Sequence, residues 1–392
     1  MVVEITKDVI EYLEMHKDAL NEQSDVVIMI DEIARQCYEH HHVIYAEIDV
    51  FEYLKNCKVL ENRSRRLFSA LFRSAFTLKS FVDATRYRIV YSTVIENNTL
   101  KIEDGVIKLY VPIVKKFLLA QAILVCENLR DCELYIDLVK EIIREKGTNI
   151  SLSIHPIHCG GSEAEATVRN EIATGECRPI ACIMDSDKKK EDDRYGSSAQ
   201  KAVEIFNEKK ESYPIKLHVL AVRMKENLFP PEVLNLDVNI GNKEFLTALI
   251  PFQDESRFEN FFKFFDFKNT VFLKNCEKII AFKPQIEETG IIWPNEEQIT
   301  KTPDAVLIRG IGANGLDNFH RSVLKHQLDE RYKRMVEHGC SKESCEKVHK
   351  DAENSYDILQ YLRKPWKEDW ESVEQLIIDF GIAFPETLTF AG

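Results

Sequence analysis

Four carboxylates, each at the end of an apolar run, carry the chemistry this sequence offers. Ala181-Cys182-Ile183-Met184 stops abruptly on Asp185-Ser186-Asp187 and runs on into Lys188-Lys189-Lys190. That pattern predicts a buried parallel strand delivering acids to its carboxyl end, where open α/β sheets bind ligands. Two other runs end similarly: residues 122–126 (AILVC) stop on Glu127, and residues 215–222 (IKLHVLAV) lead into Arg223-Met224-Lys225-Glu226-Asn227. Strand-end carboxylates of one parallel sheet converge whatever their separation in sequence. With no His or Cys among them, Glu127, Asp185, Asp187 and Glu226 suit one or two Mg²⁺ or Mn²⁺ ions rather than zinc. Like charges a few ångströms apart raise each other's pKa, a cost that a bound cation removes. Two ions about 3.5–4 Å apart would activate water and stabilise the leaving oxygen of a phosphodiester. Arg223, Lys225 and Lys188 are the candidate cations beside them.

The elements that must position these residues form a βαβ rhythm. Strands are predicted over 122–126, 150–157, 179–184 and 215–222, with helical patterns over 131–146, 162–174 and 197–210 between them. Alternation of this kind means a parallel sheet. Before it, residues 1–40 and 61–84 have helical spacing, and 86–96 with 101–114 read as a β-hairpin joined across Asn97-Asn98-Thr99. After it come a Phe-rich segment (Phe258, Phe261, Phe262, Phe264, Phe265, Phe267) fit for core packing and an acidic, largely helical tail. The expected organisation is α/β: an N-terminal α+β region (1–118), a central parallel-sheet catalytic domain (119–235) and a mainly helical C-terminal region (236–392).

Composition narrows the function classes. A net charge of −13 argues against a general polyanion binder, so nucleic-acid contact needs local basic patches or bridging metal. One patch is Arg63, Arg65, Arg66, Arg73, Lys79, Arg86 and Arg88. No apolar run reaches the roughly 18 residues of a membrane helix, and the first residues are acidic and amphipathic rather than signal-like. The 10 scattered cysteines, Cys126, Cys159 and Cys182 among them, suggest reduced, buried thiols and a cytoplasmic protein. There is no GxxxxGK[ST] loop, which excludes a self-contained P-loop ATPase. His40-His41-His42 cannot all face one ion, while His338, Cys340, Cys345 and His349 have non-standard spacing for structural zinc.

The order strand–Glu127, strand–Gly160-Gly161, strand–Asp185-x-Asp187 resembles the Toprim domain of topoisomerases, primases and small nucleases. Arg223-x-x-Glu226-Asn227 with Pro230-Pro231 is similar to an element of nucleases of the overcoming-lysogenisation-defect type, and the resemblance covers roughly residues 120–235. It implies a central Toprim-like sheet and a metal-dependent nuclease acting on DNA ahead of RNA. It also implies Glu127 as metal ligand or general acid/base, Asp185 and Asp187 as metal ligands, and Glu226 beside a second metal. Arg223 matches the arginine three residues before that glutamate. A role in anti-phage defence beside a separate ATPase is implied by the resemblance alone. The pattern departs at Asn128, where Toprim domains have Gly, and at Leu228, where an aromatic is expected. Two alternatives remain: a degenerate Toprim-like binding or regulatory subunit, and a haloacid-dehalogenase-type phosphatase with Asp185 as nucleophile. The second normally wants Thr or Val where Lys189 stands.

Overall fold

The computed structural model describes residues 1–115, 118–147, 150–160, 163–235, 243–312, 316, 332–339, 341 and 366–385. The chain forms two compact units: residues 1–184, 197–219 and 371–392 in the first, and 185–196 with 220–370 in the second. These bounds differ from the expected ones. The expected region 1–118 lies within the first unit, and the expected region 119–235 is divided between the two, the chain entering the second unit at Asp185.

The first unit is mixed α/β with two parallel-rich sheets. Strands β1 (Val2–Ile5), β2 (Val43–Ala46), β3 (Tyr87–Ser92), β4 (Thr99–Glu103) and β5 (Val106–Pro112) form one sheet, in the order β2-β1-β3-β5-β4. All neighbours in it are parallel except β4 and β5. The expected hairpin across Asn97-Asn98 is therefore corrected. The hairpin joins β4 to β5 across Asp104-Gly105, whose φ values of 50° and 77° are those of a type I′ turn. Tyr87–Ser92 pairs parallel to β5 instead. Helices α1 (Lys7–Met15), α2 (Asp25–Tyr38), α3 (Ile48–Asn56), α4 (Asn62–Arg73) and α5 (Ala75–Asp83) accompany this sheet. Strands β1 and β2 fall where only helix was expected within residues 1–40 and where nothing was assigned, because each is four residues long.

The second sheet carries the βαβ units. Its members are β6 (Ile123–Cys126), β8 (His155–His158), β9 (Ile180–Met184) and β10 (Ile215–Val219), ordered β10-β9-β6-β8 and all parallel. The expected strand over 150–157 is split into β7 (Ser151–Leu152) and β8. Every residue of β6 and β9 is buried, which is why each reads as an unbroken apolar run. Helix α6 (Leu129–Glu145) packs on β6 and β8 through Cys132, Tyr135, Leu138, Val139 and Ile142, a 3–4 spacing that keeps one stripe inward. Each such aliphatic side chain contributes about 1.5–3 kcal/mol of burial. Helix α7 (Ala164–Ala173) packs on α8 (Ser197–Lys209), which covers β9 and β10.

The second unit contains the short helices α9 (Pro231–Leu234), α10 (Lys243–Leu249) and α11 (Glu259–Phe264). The Phe-rich segment is core. Phe258, Phe261, Phe262, Phe264, Phe265 and Phe267 are all buried, with Phe261 and Phe265 stacked at 4.7 Å between ring centroids. No helix among the described residues is long and apolar enough to cross a membrane.

Candidate functional site

In the second sheet the strand order reverses at β6. Its chain successor β8 lies on one side, and β9 lies on the other. A reversal of this kind opens a crevice beyond the carboxyl ends of the two diverging strands. Val125 pairs with Cys182 across the β6–β9 ladder, so the chain leaves that switch point as Cys126-Glu127 and as Met184-Asp185.

Glu127 is half-buried, and its carbonyl accepts the Gly160 amide at 3.1 Å. Gly160 has φ 59°, the left-handed conformation that glycine adopts without strain, at the place expected for the strand-end glycine. Gly161 lies outside the described residues. Asn128 caps α6. Its Oδ1 accepts the Asp131 amide at 3.1 Å, and its Nδ2 donates to Asp131 Oδ2 at 2.7 Å. With φ −138°, Asn128 stands in extended backbone that needs no glycine.

Asp185, Asp187, Arg223, Lys225 and Glu226 all belong to the second unit. Two stretches of chain are stitched together there. The Ser186 hydroxyl, fully buried, donates to Val222 O at 2.6 Å, and the Asp187 amide donates to Arg223 O at 2.9 Å. The Lys225 amide donates to Asp185 Oδ1 at 3.0 Å, which fixes that half-buried carboxylate. Asp187 is exposed and has φ 56°, a conformation Asp tolerates better than most residues. It is held against Gly196, where an added Cβ would come within 2.6 Å of the Asp187 Cβ.

The remaining expected residues have structural neighbours. Glu226 is only 1% exposed and sits in a short 3₁₀ turn, Lys225–Leu228, with Lys225 and Asn227 also buried. Arg223 pairs with Asp266 at 2.8 Å. Lys188 turns onto its own loop, donating to Glu191 O at 3.0 Å with its ammonium 4.9 Å from the Tyr195 ring centre. Asn227 donates to Phe262 O at 2.7 Å and Phe265 O at 2.9 Å, tying the Arg-x-x-Glu-Asn element to the end of α11. Among the described residues, no three His, Cys, Asp or Glu side chains are gathered closely enough to form a metal-binding group.

Sequence reasoning missed a cavity of about 290 Å³ in the second unit, lined by Lys189, Arg223, Asp266, Asn269, Thr270, Asn275 and Lys278, with Val271 and Ile279 as its apolar wall. Its one legible signal was an Asp three residues before an Asn, a short loop closed by the Asn269 amide on Asp266 Oδ1 at 2.9 Å.

The histidines of the expected triplet take separate partners. His40 meets Phe384 O, His41 meets Gln36 Oε1, and His42, fully buried, meets Ala120 O. Cys340, Cys345 and His349 of the other expected group lie outside the described residues. The described cysteines are free, and all but Cys57 are buried. Burial pushes the Cys159 thiol up to about 12, with the Glu127 charge adding to it.

Comparison with protein-family models, with curated proteins and with solved structures found no match to this chain. The class that the fold itself defines is a mixed α/β protein with parallel-rich sheets.

Proposed function

We propose that this protein is a metal-dependent phosphodiesterase of Toprim-like architecture that cleaves nucleic acid. The observation that carries the proposal is the placement of acids at a switch point. Glu127 and Asp185 are the first residues beyond β6 and β9, and Asp187 follows on the same strand exit. Asp185 and Asp187 supply a donor set that Mg²⁺ accepts, since that ion is commonly held by one or two carboxylates and keeps several waters. When bound, Mg²⁺ or Mn²⁺ supplies an acidified water and charge neutralisation at a phosphodiester. The Lys225 amide orients Asp185, and the Arg223 carbonyl anchors the backbone of Asp187, while Glu127 joins the proposed ligand set through the resemblance. Glu226 joins the proposed ligand set through the resemblance, and its burial gives it the weakest structural support of the four. DNA as the first substrate to test, a separate ATPase partner and a role in anti-phage defence belong to the same proposal.

A non-enzymatic binding subunit is the second reading, favoured by the burial of Glu226 and by the engagement of Arg223 with Asp266. The deciding experiment offers plasmid, single-stranded DNA and RNA to the full chain with Mg²⁺, Mn²⁺ or EDTA. Cleavage that needs the metal and falls by about 10³-fold or more in Asp185→Asn supports the enzyme, a loss of about 4 kcal/mol in transition-state stabilisation. Binding without Asp185-dependent cleavage supports the subunit. Hydrolysis of a small phosphate monoester alone would point to the phosphatase alternative.

A further inference from the structure

We infer, resting on the phosphodiesterase reading above, that the cavity of Lys189, Arg223, Asn269, Thr270, Asn275 and Lys278 is a subsite for a phosphoryl group next to the acid pair. Its charge favours an anion. Arg223 and Asp266 neutralise each other, and the cavity's other charged lining groups are the Lys189 and Lys278 ammoniums. Neither ammonium has a hydrogen-bond or ion-pair partner among the described residues.

Hydrogen bonding favours an acceptor-rich ligand. Asp266 is already occupied: Oδ1 accepts from the Asn269 amide at 2.9 Å, and Oδ2 accepts from Arg223 at 2.8 Å and Asn269 Nδ2 at 3.0 Å. The carboxylate therefore faces its own turn and its arginine. Thr270 Oγ1 accepts the Gly310 amide at 3.2 Å, which leaves the hydroxyl proton to donate elsewhere. Arg223 Nε is a buried donor with no hydrogen-bond partner. Ammonium, hydroxyl, amide and guanidinium donors around one small volume match an oxyanion that accepts in several directions at once.

Position ties this cavity to the acids. Lys189 stands two residues after Asp187, and its amide donates to Asp193 Oδ2 at 3.0 Å, so the lysine loop is braced on itself. Arg223 lends its carbonyl to the Asp187 amide and its side chain to the cavity. A polyphosphodiester presented to a metal held by Asp185 and Asp187 would thus meet an anion site beside it.

The test measures binding of a labelled ten-nucleotide oligothymidylate to the full chain in EDTA, with inorganic phosphate as competitor. Lys278 is exposed, so Lys278→Glu is compatible with folding, which circular dichroism verifies. The control Lys301→Glu makes the same charge change on an exposed lysine away from the cavity. Lys278→Glu is expected to weaken oligonucleotide binding by about tenfold or more, the scale of one charge-assisted hydrogen bond, while Lys301→Glu changes it less than about twofold.

Displacement by inorganic phosphate from the wild type, with loss of that competition in Lys278→Glu, identifies a site for a lone phosphoryl group. A Lys278 effect on the oligonucleotide without phosphate competition identifies a site that reads the chain, and both outcomes support the subsite. Equal losses in the two variants, or wild-type binding by Lys278→Glu, overturn it. If no Asp185-dependent cleavage exists but the Lys278 effect persists, the nuclease reading fails and the anion site stands. If cleavage is Asp185-dependent and Lys278→Glu binds normally, the subsite alone fails.

Discussion

Asn128 is where the chain departs from the Toprim pattern, and its side chain has a definite task. It satisfies the first turn of α6 through Asp131. Asn128→Ala should lower stability by about 1 kcal/mol, while Asn128→Gly should cost only a few tenths, as read from urea unfolding midpoints. Because glycine leaves the cap nearly neutral and restores the Toprim pattern, the proposed phosphodiesterase reading expects the cleavage rate of Asn128→Gly to equal or exceed that of the wild type. Gly196 bears on Asp187. A methyl group there must displace Asp187, since the contact to Asp187 Cβ would be 2.6 Å. Under the proposed phosphodiesterase reading, Gly196→Ala should therefore raise the Mn²⁺ concentration needed for half-maximal cleavage about tenfold. An unchanged metal requirement would separate Asp187 from the ion. Asp185 and Asp187 stand out along the chain because an apolar run ends abruptly on them. Lys189 and Lys278 were not, since nothing along the chain shows that residues 189 and 278 border one cavity.

At the scale of elements, the strand exits of the first sheet behave unlike those of the second. Strand β1 is flanked by β2 and β3, so a reversal exists there too. Asp8, just past β1, accepts from Ser92 Oγ at 2.8 Å, the Thr93 amide at 2.5 Å and Thr93 Oγ1 at 2.7 Å, all at the end of β3. Burial pushes the Asp8 carboxyl upward, but hydrogen bonds from Thr6, Thr93 and Ser92 together outweigh it and hold its pKa below the ordinary value. A depressed folded-state pKa stabilises above the unfolded carboxylate value of about 3.9 and is lost as pH falls through the folded value. Asp8→Asn should thus destabilise at pH 7 and approach the wild type near pH 3 in denaturant titrations. Parallel offsets at both pH values would remove Asp8 from the acid limb. The βαβ units could be read in advance because buried parallel strands are continuous apolar runs. The hairpin was misplaced because Asn97-Asn98 resembled a turn, while the stronger Asp104-Gly105 signal lay inside what looked like one strand.

For the whole molecule, the sequence hid how far the first unit reaches along the chain. Residues of the expected C-terminal region belong to it. Asp379, fully buried, accepts the Arg86 amide at 2.6 Å and lies 3.7 Å from Lys216, and Ile382 pairs with Leu152 of β7. Pairings across hundreds of residues leave no local mark, so periodicity could not announce them. The two reversals of strand order also give the chain two different kinds of vulnerability. The crevice beside β1 is filled by its own hydroxyls and carboxylate, so damage there unravels a scaffold and is seen as less protein. The exit from β9 instead offers an exposed Asp187 on a braced turn, so under the proposed phosphodiesterase reading damage there leaves the amount of protein intact and changes what each copy does. A survey of variants scored separately for abundance and for activity would divide along that line, with Asp8 and Thr93 on one side and Asp185 and Asp187 on the other.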